Sequence, residues 1–377
     1  MLLAAIITIV GLANAQEKLP APSPTPSPKP VEQPDQEAPV RVFTEEVRLP
    51  VLALDSYGHY DPTLVPDDVL VLEDGVAQQV RSVRHLPANV LILLDTGGEQ
   101  SGLGGLSKST NLTRQVAATL VNHLQEGSYV ELLESGNSVS VLQPWTTNKE
   151  EVLKTLKTKV SSSKRSRISD AILAAANELK DRPEGSRHVV LITDGVDSPG
   201  GKVDRADAVR NLIAARATVH IISYTQFVRQ QSDKKTTAVT AGQRPISNDP
   251  IASTDPTLPP GVTRSPTYGV SIRFDPAMRK LRKAYESDVK KSQQVLTNVA
   301  DETGGKIVLP TSSDQMLAEA TNVAKAIGAE YVVTYRPKRP LAEASPGEYR
   351  KIQVSSRRVG LSLHSRRGYV VPTEHNQ

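Results

Sequence analysis

The chain has 377 residues, of which 38% are hydrophobic, so it is long enough to bury one large core or two smaller ones. It contains no cysteine, which excludes disulfide bonds and thiolate metal sites. The formal net charge is only +4 and aromatic residues make up 4% of the chain, so the composition argues against a nucleic-acid-binding protein with a basic, aromatic-rich face.

The beginning of the chain has the pattern of an export signal followed by a spacer. Residues 1–15 are apolar and end in Ala13-Asn14-Ala15, a small-residue pattern typical of a signal peptidase site. Residues 16–42 contain eight prolines between Pro20 and Pro39 and predict an extended linker. No later segment approaches about 18 consecutive apolar residues, so we predict no membrane span after signal removal. The expected location is the periplasm, the cell surface or the medium.

Short strands are predicted at both ends of the remaining chain. In the N-terminal segment, residues 43–87, the alternating patterns cover residues 47–54, 69–75 and 78–83. In the C-terminal segment, residues 330–377, they cover residues 330–336, 348–355 and 361–371. Because a few short strands alone are marginally stable, we expect the two segments to pack together as one small β module.

Strand and helix patterns alternate between these two segments, over residues 88–329. Strands are predicted at residues 91–95, 129–133, 139–142, 189–193, 219–224 and 306–309, and helices at residues 108–124, 150–160, 169–179, 206–217, 278–299 and 314–327. Residues 226–275 show no lasting period and predict a mobile insertion. The alternation predicts an α/β fold, a doubly wound and mostly parallel Rossmann-like sheet with helices on both faces.

Two of the predicted strands end on an aspartate. The apolar run at residues 91–94 leads into Asp95, and the run at residues 189–192 leads through Thr193 into Asp194. Runs of this kind predict strands covered on both faces, and open α/β sheets bind their ligands at the carboxyl ends of such strands. Two carboxylates at this rim form a candidate binding site for a divalent cation.

The order of these motifs resembles a von Willebrand factor A domain. Asp95 and the later Thr193-Asp194-Gly195 carry the resemblance, together with Val71-Leu72-Glu73-Asp74-Gly75, Glu302-Thr303-Gly304-Gly305 and Arg366-Arg367-Gly368-Tyr369. In order and spacing they are similar to the VWFA-related family abundant in acidobacterial genomes, over residues 43–372. The resemblance implies a doubly wound sheet and a protein-binding role at its rim.

In that family, a metal-ion-dependent adhesion site takes a Mg²⁺ from an Asp-x-Ser-x-Ser loop, a threonine and a later aspartate. Asp95 and Asp194 match the two aspartates of this pattern, and Ser166 falls near the threonine. Gly97 and Glu99 stand where the two serines are expected. The resemblance therefore implies a degenerate metal site at Asp95, Glu99, Ser166 and Asp194.

Two alternatives for this site stay open from the sequence. In one, Mg²⁺ or the geometrically more tolerant Ca²⁺ binds the remaining oxygen ligands. In the other, which the missing hydroxyl at Gly97 favours, no metal binds and Asp95 and Asp194 cap the following helices and accept bonds from loop amides. Asp197 and Ser198 could add ligands to such a site or be plain turn residues, and the turn interpretation is favoured.

The glycine-rich segment from Gly102 to Ser109 partly imitates a phosphate-binding loop in which Lys108 would contact phosphate. Ser107 replaces the second glycine of that motif, which argues against nucleotide binding. The seven histidines form no paired ligand motif, and no serine lies in a Gly-x-Ser-x-Gly turn. We therefore expect no enzymatic activity.

The sequence favours an exported, non-enzymatic module that binds an unidentified protein partner at the rim around Asp95, as in adhesion or scaffolding. The first alternative is a scaffold that has lost its metal site and binds through another surface, such as the long helix at residues 278–299. The second alternative is a nucleotide hydrolase that uses Lys108.

Overall fold

Fourteen strands and six α-helices form the described part of the chain in the computed structural model, which covers residues 46–98, 109–227, 276–345 and 347–371. The predicted signal peptide (1–15), the proline-rich linker (16–42) and all but the first two residues of the predicted insertion (226–275) lie outside these ranges. So do Glu99 and residues 102–108. The corresponding predictions stay predictions.

The elements follow the chain in this order. The strands are β1 (Val47–Leu54), β2 (Val69–Glu73), β3 (Val76–Gln78), β4 (Val80–Arg84), β5 (Asn89–Asp95), β6 (Tyr129–Ser135), β7 (Val139–Thr146), β8 (Arg187–Thr193), β9 (Thr218–Ser223), β10 (Ile307–Val308), β11 (Tyr331–Tyr335), β12 (Tyr349–Ser356), β13 (Ser362–Ser365) and β14 (Gly368–Val370). The helices are α1 (Thr110–His123), α2 (Lys149–Thr158), α3 (Ile168–Glu178), α4 (Arg205–Ala214), α5 (Pro276–Thr303) and α6 (Ser313–Ala329).

The central sheet has six strands in the order β10-β9-β8-β5-β6-β7. Five of them are parallel, and β7 joins the edge antiparallel to β6. Every residue of β5 is buried, as expected for a strand covered on both faces. The predicted doubly wound, mostly parallel sheet is therefore confirmed.

Helices cover both faces of this sheet because the side chains of its strands alternate between two cores. Val90, Ile92 and Leu94 of β5 belong to one core with α1, α2 and α6. Leu91 and Leu93 belong to the other core, with α3, α4 and α5. Burial of each such aliphatic side chain contributes about 1.5–3 kcal/mol, so this strand is a main source of stability for the fold.

Two four-stranded sheets, with the orders β13-β1-β11-β4 and β14-β12-β2-β3, form the predicted β module. Strands from the two ends of the chain alternate within them, since β1 pairs with β11 and β2 pairs with β12. Both sheets contribute to one apolar core that includes Leu49, Val71, Val333 and Ile352. The prediction that N- and C-terminal strands build one module is confirmed.

Two predicted strands are each divided between the two sheets of the module. Residues 78–83 were expected as one strand, but β3 pairs with β2 whereas β4 pairs with β11. Residues 361–371 divide in the same way, because β13 pairs with β1 and β14 pairs with β12. Between β13 and β14, a side-chain bond holds the chain where it passes from one sheet to the other: buried Arg366 donates to the carbonyl oxygen of Arg48. Alternation along the sequence does not reveal which sheet a strand joins.

A buried ion pair lies in the core of the β module. Arg350 is 0% exposed, and its Nη1 donates to Glu73 Oε1 at 2.7 Å. Tyr335 and Tyr369 donate to the other oxygen of Glu73, at 2.5 and 3.2 Å. Burial raises the pKa of both tyrosines, so they remain hydrogen-bond donors.

Within the described ranges, no helix combines the length and the apolarity needed to cross a bilayer.

Candidate functional site

The two strand-end aspartates lie side by side at the carboxyl edge of the central sheet. β5 and β8 are neighbours in the sheet, and the chain leaves β5 towards β6 but leaves β8 towards β9 on the opposite side. The connections thus diverge between these two strands. This is the switch point at which open α/β sheets form a ligand crevice.

Asp95 is the buried centre of a hydrogen-bond network. Its Oδ1 accepts from the Ser166 hydroxyl at 2.8 Å, and its Oδ2 accepts from the Thr193 hydroxyl at 2.6 Å. The backbone N–H of Gly97 also donates to Oδ1, at 3.4 Å. Asp95 is 0% exposed, so these donors take the place of water around its carboxylate.

The loop that carries Ser166 is tied to its surroundings on both sides. The Ser166 N–H donates to Ser198 Oγ, and the Ser198 N–H donates to the Ser166 carbonyl, each at 2.9 Å. The next amide, that of Arg167, donates to Ser135 Oγ at the end of β6 at 3.0 Å. Ser166 therefore reaches Asp95 from a loop held in place by two neighbouring loops.

Asp194 is also buried and is contacted by a residue distant in sequence. Its Oδ1 accepts from the Val196 N–H, and its Oδ2 accepts from the hydroxyl of Tyr285 on α5, both at 2.9 Å. Burial and the negative charge of Asp194 raise the pKa of Tyr285 above its usual range. Tyr285 therefore stays protonated and serves as a donor to the carboxylate.

Gly97 makes a backbone contact that no other residue could make without rearrangement. A Cβ at this position would lie 2.2 Å from the carbonyl oxygen of Arg165 and 2.5 Å from the Cα of Ser166. The neighbouring amides form a short ladder with Ser163, which donates to the Thr96 carbonyl and accepts from the Gly98 N–H. The loop after β5 is thus paired directly with the loop before α3.

These contacts bear on whether the rim can hold a divalent cation. An octahedral Mg²⁺ site needs several oxygen ligands directed at one point. Here both oxygens of Asp95 accept from protein hydroxyls, and Gly97 has neither a side-chain oxygen nor room for one. No group of three or more histidine, aspartate or glutamate side chains within the described ranges could hold a metal ion. The oxygen atoms described at this rim do not form the set of ligands that an octahedral Mg²⁺ site needs.

The helix-capping interpretation of the two aspartates is wrong. Ser109 caps α1, accepting from the Leu112 N–H at 3.3 Å, and Asp204 caps α4, accepting from the Ala206 N–H at 2.8 Å. Each helix is thus capped by the residue that directly precedes it and not by the aspartate at the strand end. The same interpretation also expects the aspartates to accept bonds from loop amides, and Asp95 and Asp194 do accept from the amides of Gly97 and Val196.

A second cluster of polar residues beside the rim joins the loop after β8 to the neighbouring helices. Asp197 accepts from the Ser169 N–H at 3.2 Å and from Arg205 at 3.1 Å. Arg205 also donates to the carbonyl oxygen of Gly195 at 2.6 Å, and Ser292 of α5 donates to the same oxygen. Asp197 thus ties the loop after β8 to the start of α3 and to α4.

Several residues of this site were not identified from the sequence. The sequence places Thr193 in a strand and in the motif that carries the resemblance, but not as a partner of Asp95, and it places Tyr285 only on a helix face. The alternation of polar and apolar residues gives no signal for either contact, because Tyr285 reaches Asp194 across 91 residues of sequence. Of the four predicted ligands, Asp95, Ser166 and Asp194 lie at one rim, and Glu99 is outside the described residues.

The outer surface of the rim carries positive charge. Lys164 and Arg165 are exposed and directly precede Ser166, and Lys202 is exposed in the loop after β8. Asp95 and Asp194, in contrast, are 0% and 2% exposed. A partner approaching this part of the rim meets cationic side chains before it meets the buried carboxylates.

Residues 89–249 match the sequence model of the von Willebrand factor type A domain. Among solved structures, a von Willebrand factor type A protein from Catenulispora acidiphila aligns at 10% identity with a TM-score of 0.41, covering 89% of this chain and 76% of that chain. An aerotolerance-related membrane protein from Bacteroides fragilis aligns at 14% identity with a TM-score of 0.35, covering 63% of this chain and 98% of that chain. The conserved hypothetical protein BatB from Bacteroides thetaiotaomicron aligns at 16% identity with a TM-score of 0.35 and the same coverages. No curated protein matched the sequence.

Proposed function

We propose that this chain, which carries a von Willebrand factor type A domain, is a non-enzymatic protein-binding module for adhesion or scaffolding. The proposed binding surface is the rim formed by the loops after β5 and β8 and before α3. It lies at the switch point of the sheet, where this architecture gathers loops from several strands.

The observation that carries the proposal is the combination of a rigid base with an exposed charged surface. Ser166 is fixed by its bonds to Asp95 and Ser198. The two residues before it, Lys164 and Arg165, extend into solvent. Cationic side chains on an ordered loop favour an acidic partner segment, because charge complementarity speeds encounter and fixes orientation.

We propose further that binding does not require a divalent cation. The hydroxyls of Ser166 and Thr193 already donate to Asp95, and the Tyr285 hydroxyl donates to Asp194. These three hydroxyls stabilise the two aspartates at the rim. On this basis, neither Mg²⁺ nor Ca²⁺ raises the melting temperature, whereas a ligand that binds only the folded state would do so.

Capture of partners from the native envelope fraction tests the proposed surface. The test variant is Lys164→Glu/Arg165→Glu, and the matched control is Lys154→Glu/Lys157→Glu on the exposed face of α2, which makes the same change in net charge. We expect the rim variant to lose at least about tenfold in capture, as two lost charge contacts at an interface predict, while the control and a chelator leave capture unchanged.

Two results would contradict these proposals. Equal capture by the rim variant and the wild-type protein would exclude the Lys164 and Arg165 surface. It would favour the alternative of a scaffold that binds elsewhere. Loss of capture with chelator, restored by Mg²⁺ or Ca²⁺, would exclude metal independence but retain the rim.

We also propose membership of the VWFA-related group found in acidobacterial genomes, on the strength of three motifs that meet in space. The Arg367 N–H donates to the Glu302 carbonyl at 3.0 Å, which joins the second motif to the third. Tyr369 donates to Glu73 at 3.2 Å, which joins the third motif to the first.

Export of the chain, proposed from residues 1–15, is tested by cell fractionation and N-terminal sequencing of the mature protein.

A further inference from the structure

Helix α5 carries a concentrated positive charge in the part that lies against the rim. Residues 276–294 of this helix contain six lysines or arginines and two acidic residues, a net charge of +4. The whole chain also has a net charge of +4, so the rest of the chain is neutral on balance. A charge concentrated in this way attracts anions to one part of the surface.

The contacts of α5 fix which of its faces is exposed. Val289 and Ser292 are 3% and 2% exposed, and Ser292 donates to the carbonyl oxygen of Gly195 in the loop after β8. Tyr285 donates to Asp194 in the same loop. The inner face of α5 is therefore held against one of the loops that form the proposed rim.

Four lysines share the outer face of this part of α5. Lys280, Lys283, Lys290 and Lys291 are all exposed. At 3.6 residues per turn they lie within about 100° of one another around the helix axis, on the side away from Val289. Within the described ranges, none of the four forms an ion pair with a carboxylate. These four residues are called the lysine face, and their charges are available to a partner.

The other exposed side chains around the lysine face narrow the kind of anion that fits it. Ala284, Ser287 and Gln294 are exposed. None of the three is an aromatic residue that could stack on a nucleic-acid base, and none is a large apolar residue that could insert into a bilayer. Ser287 and Gln294 can instead hydrogen-bond a peptide backbone. These neighbours favour an acidic polypeptide.

The length of the lysine face sets the size of the segment that it can bind. Lys280 and Lys291 are about 17 Å apart along the helix axis, at a rise of about 1.5 Å per residue. An extended peptide covers this distance in about five residues. Alternate side chains of such a peptide point to the same side, so alternating carboxylates would all face the helix.

We propose that the lysine face of α5 binds an extended acidic segment of a partner protein by charge complementarity. This contact rests on the proposed function, because it extends the surface at which Lys164 and Arg165 meet an acidic partner. The partner segment then contacts both the loop before α3 and the outer face of α5.

Fluorescence anisotropy of the full chain tests the lysine face with a labelled ten-residue peptide of alternating glutamate and serine. The matched peptide has glutamine in place of glutamate and should not bind. Lys290→Gln/Lys291→Gln should weaken binding of the acidic peptide about three- to tenfold, as the loss of two exposed charge contacts predicts. Lys154→Gln/Lys157→Gln on α2 removes the same charge and should leave the affinity unchanged.

Three results would overturn this proposal. Equal affinity of the wild-type protein and the α5 variant would exclude the lysine face. Equal losses in the α5 and α2 variants would show that only net charge attracts the peptide. Binding to phosphatidylglycerol vesicles without saturable binding of the peptide would assign the face to a membrane surface.

The rim variant Lys164→Gln/Arg165→Gln, measured with the same peptide, separates this proposal from the proposed function. A loss of affinity in the rim variant alone would support the rim and overturn the contact with α5. A loss in the α5 variant alone would support the lysine face and contradict the proposed contact at Lys164 and Arg165.

Discussion

Gly97 lies so close to Arg165 that a Cβ on the glycine would be 2.2 Å from the arginine carbonyl oxygen. In the adhesion-site pattern this position is a serine that binds the metal. Here the loop after β5 closes against the loop before α3 instead, and Ser166 of that second loop bonds Asp95 directly. The departure from the pattern is thus a different packing of two loops, and replacing the side chain would not reverse it.

Gly97→Ser should therefore destabilise the protein without creating a metal site. Overpacking of this kind costs about 1–3 kcal/mol, because two backbones must separate. Gly201→Ser is the control, since its Cβ would have no neighbour closer than 3.8 Å. Urea unfolding with and without Mg²⁺ measures both effects. A Mg²⁺-dependent gain in stability for Gly97→Ser would refute this account of the loop.

The contact between Tyr285 and Asp194 should couple α5 to the rim. Tyr285→Phe removes one donor to a buried carboxylate, and we expect a loss of about 1–2 kcal/mol in the free energy of unfolding. In a double-mutant cycle with Asp194→Asn, the two effects should be non-additive, since the residues share one bond. Tyr57→Phe, at a position 85% exposed, is the matched control. Strict additivity in the cycle would show that the contact contributes nothing.

The ion pair in the β module should respond asymmetrically to substitution. Arg350→Met leaves Glu73 charged and buried, which we expect to cost about 3–5 kcal/mol. Arg350→Met/Glu73→Gln removes the uncompensated charge, so the double variant should be more stable than the single one. Arg357→Met, at an exposed position, provides the control in thermal unfolding. If the double variant were the less stable of the two, uncompensated charge would not be the cause.

Glu131 on β6 should make stability depend on pH. It is 1% exposed, and burial together with the charge of Glu178 raises its pKa from 4.5 to about 8. The folded state thus binds this proton more tightly than the unfolded state, and its contribution is complete below pH 4.5 and lost as pH rises towards 8.

Denaturant unfolding at a series of pH values tests this sign with Glu131→Gln, which stays neutral throughout. Wild-type stability should fall relative to the variant as pH rises through this interval, and Glu343→Gln, at an exposed site, should follow the wild-type curve. Parallel curves for the wild type and Glu131→Gln would mean that Glu131 is already ionised in the folded protein.

The order of strands and helices in the central sheet was predictable because burial imposes a local pattern. β5 and β8 lie between two helix layers, so the middle of each strand must be apolar, and helices such as α6 bury one face at a regular spacing. The same patterns put Asp95 and Asp194 at strand ends. Parallel neighbouring strands then bring them to one rim.

The contacts that define the site were decided only by tertiary packing. The bond from Tyr285 to Asp194 and the approach of Gly97 to Arg165 depend on where distant segments settle against each other. The division of residues 361–371 between two sheets depends on packing in the same way. By itself, the sequence determined the order of strands and helices in the central sheet, since periodicity reports burial along each one. It could not determine these contacts, because periodicity carries no information about which distant groups meet.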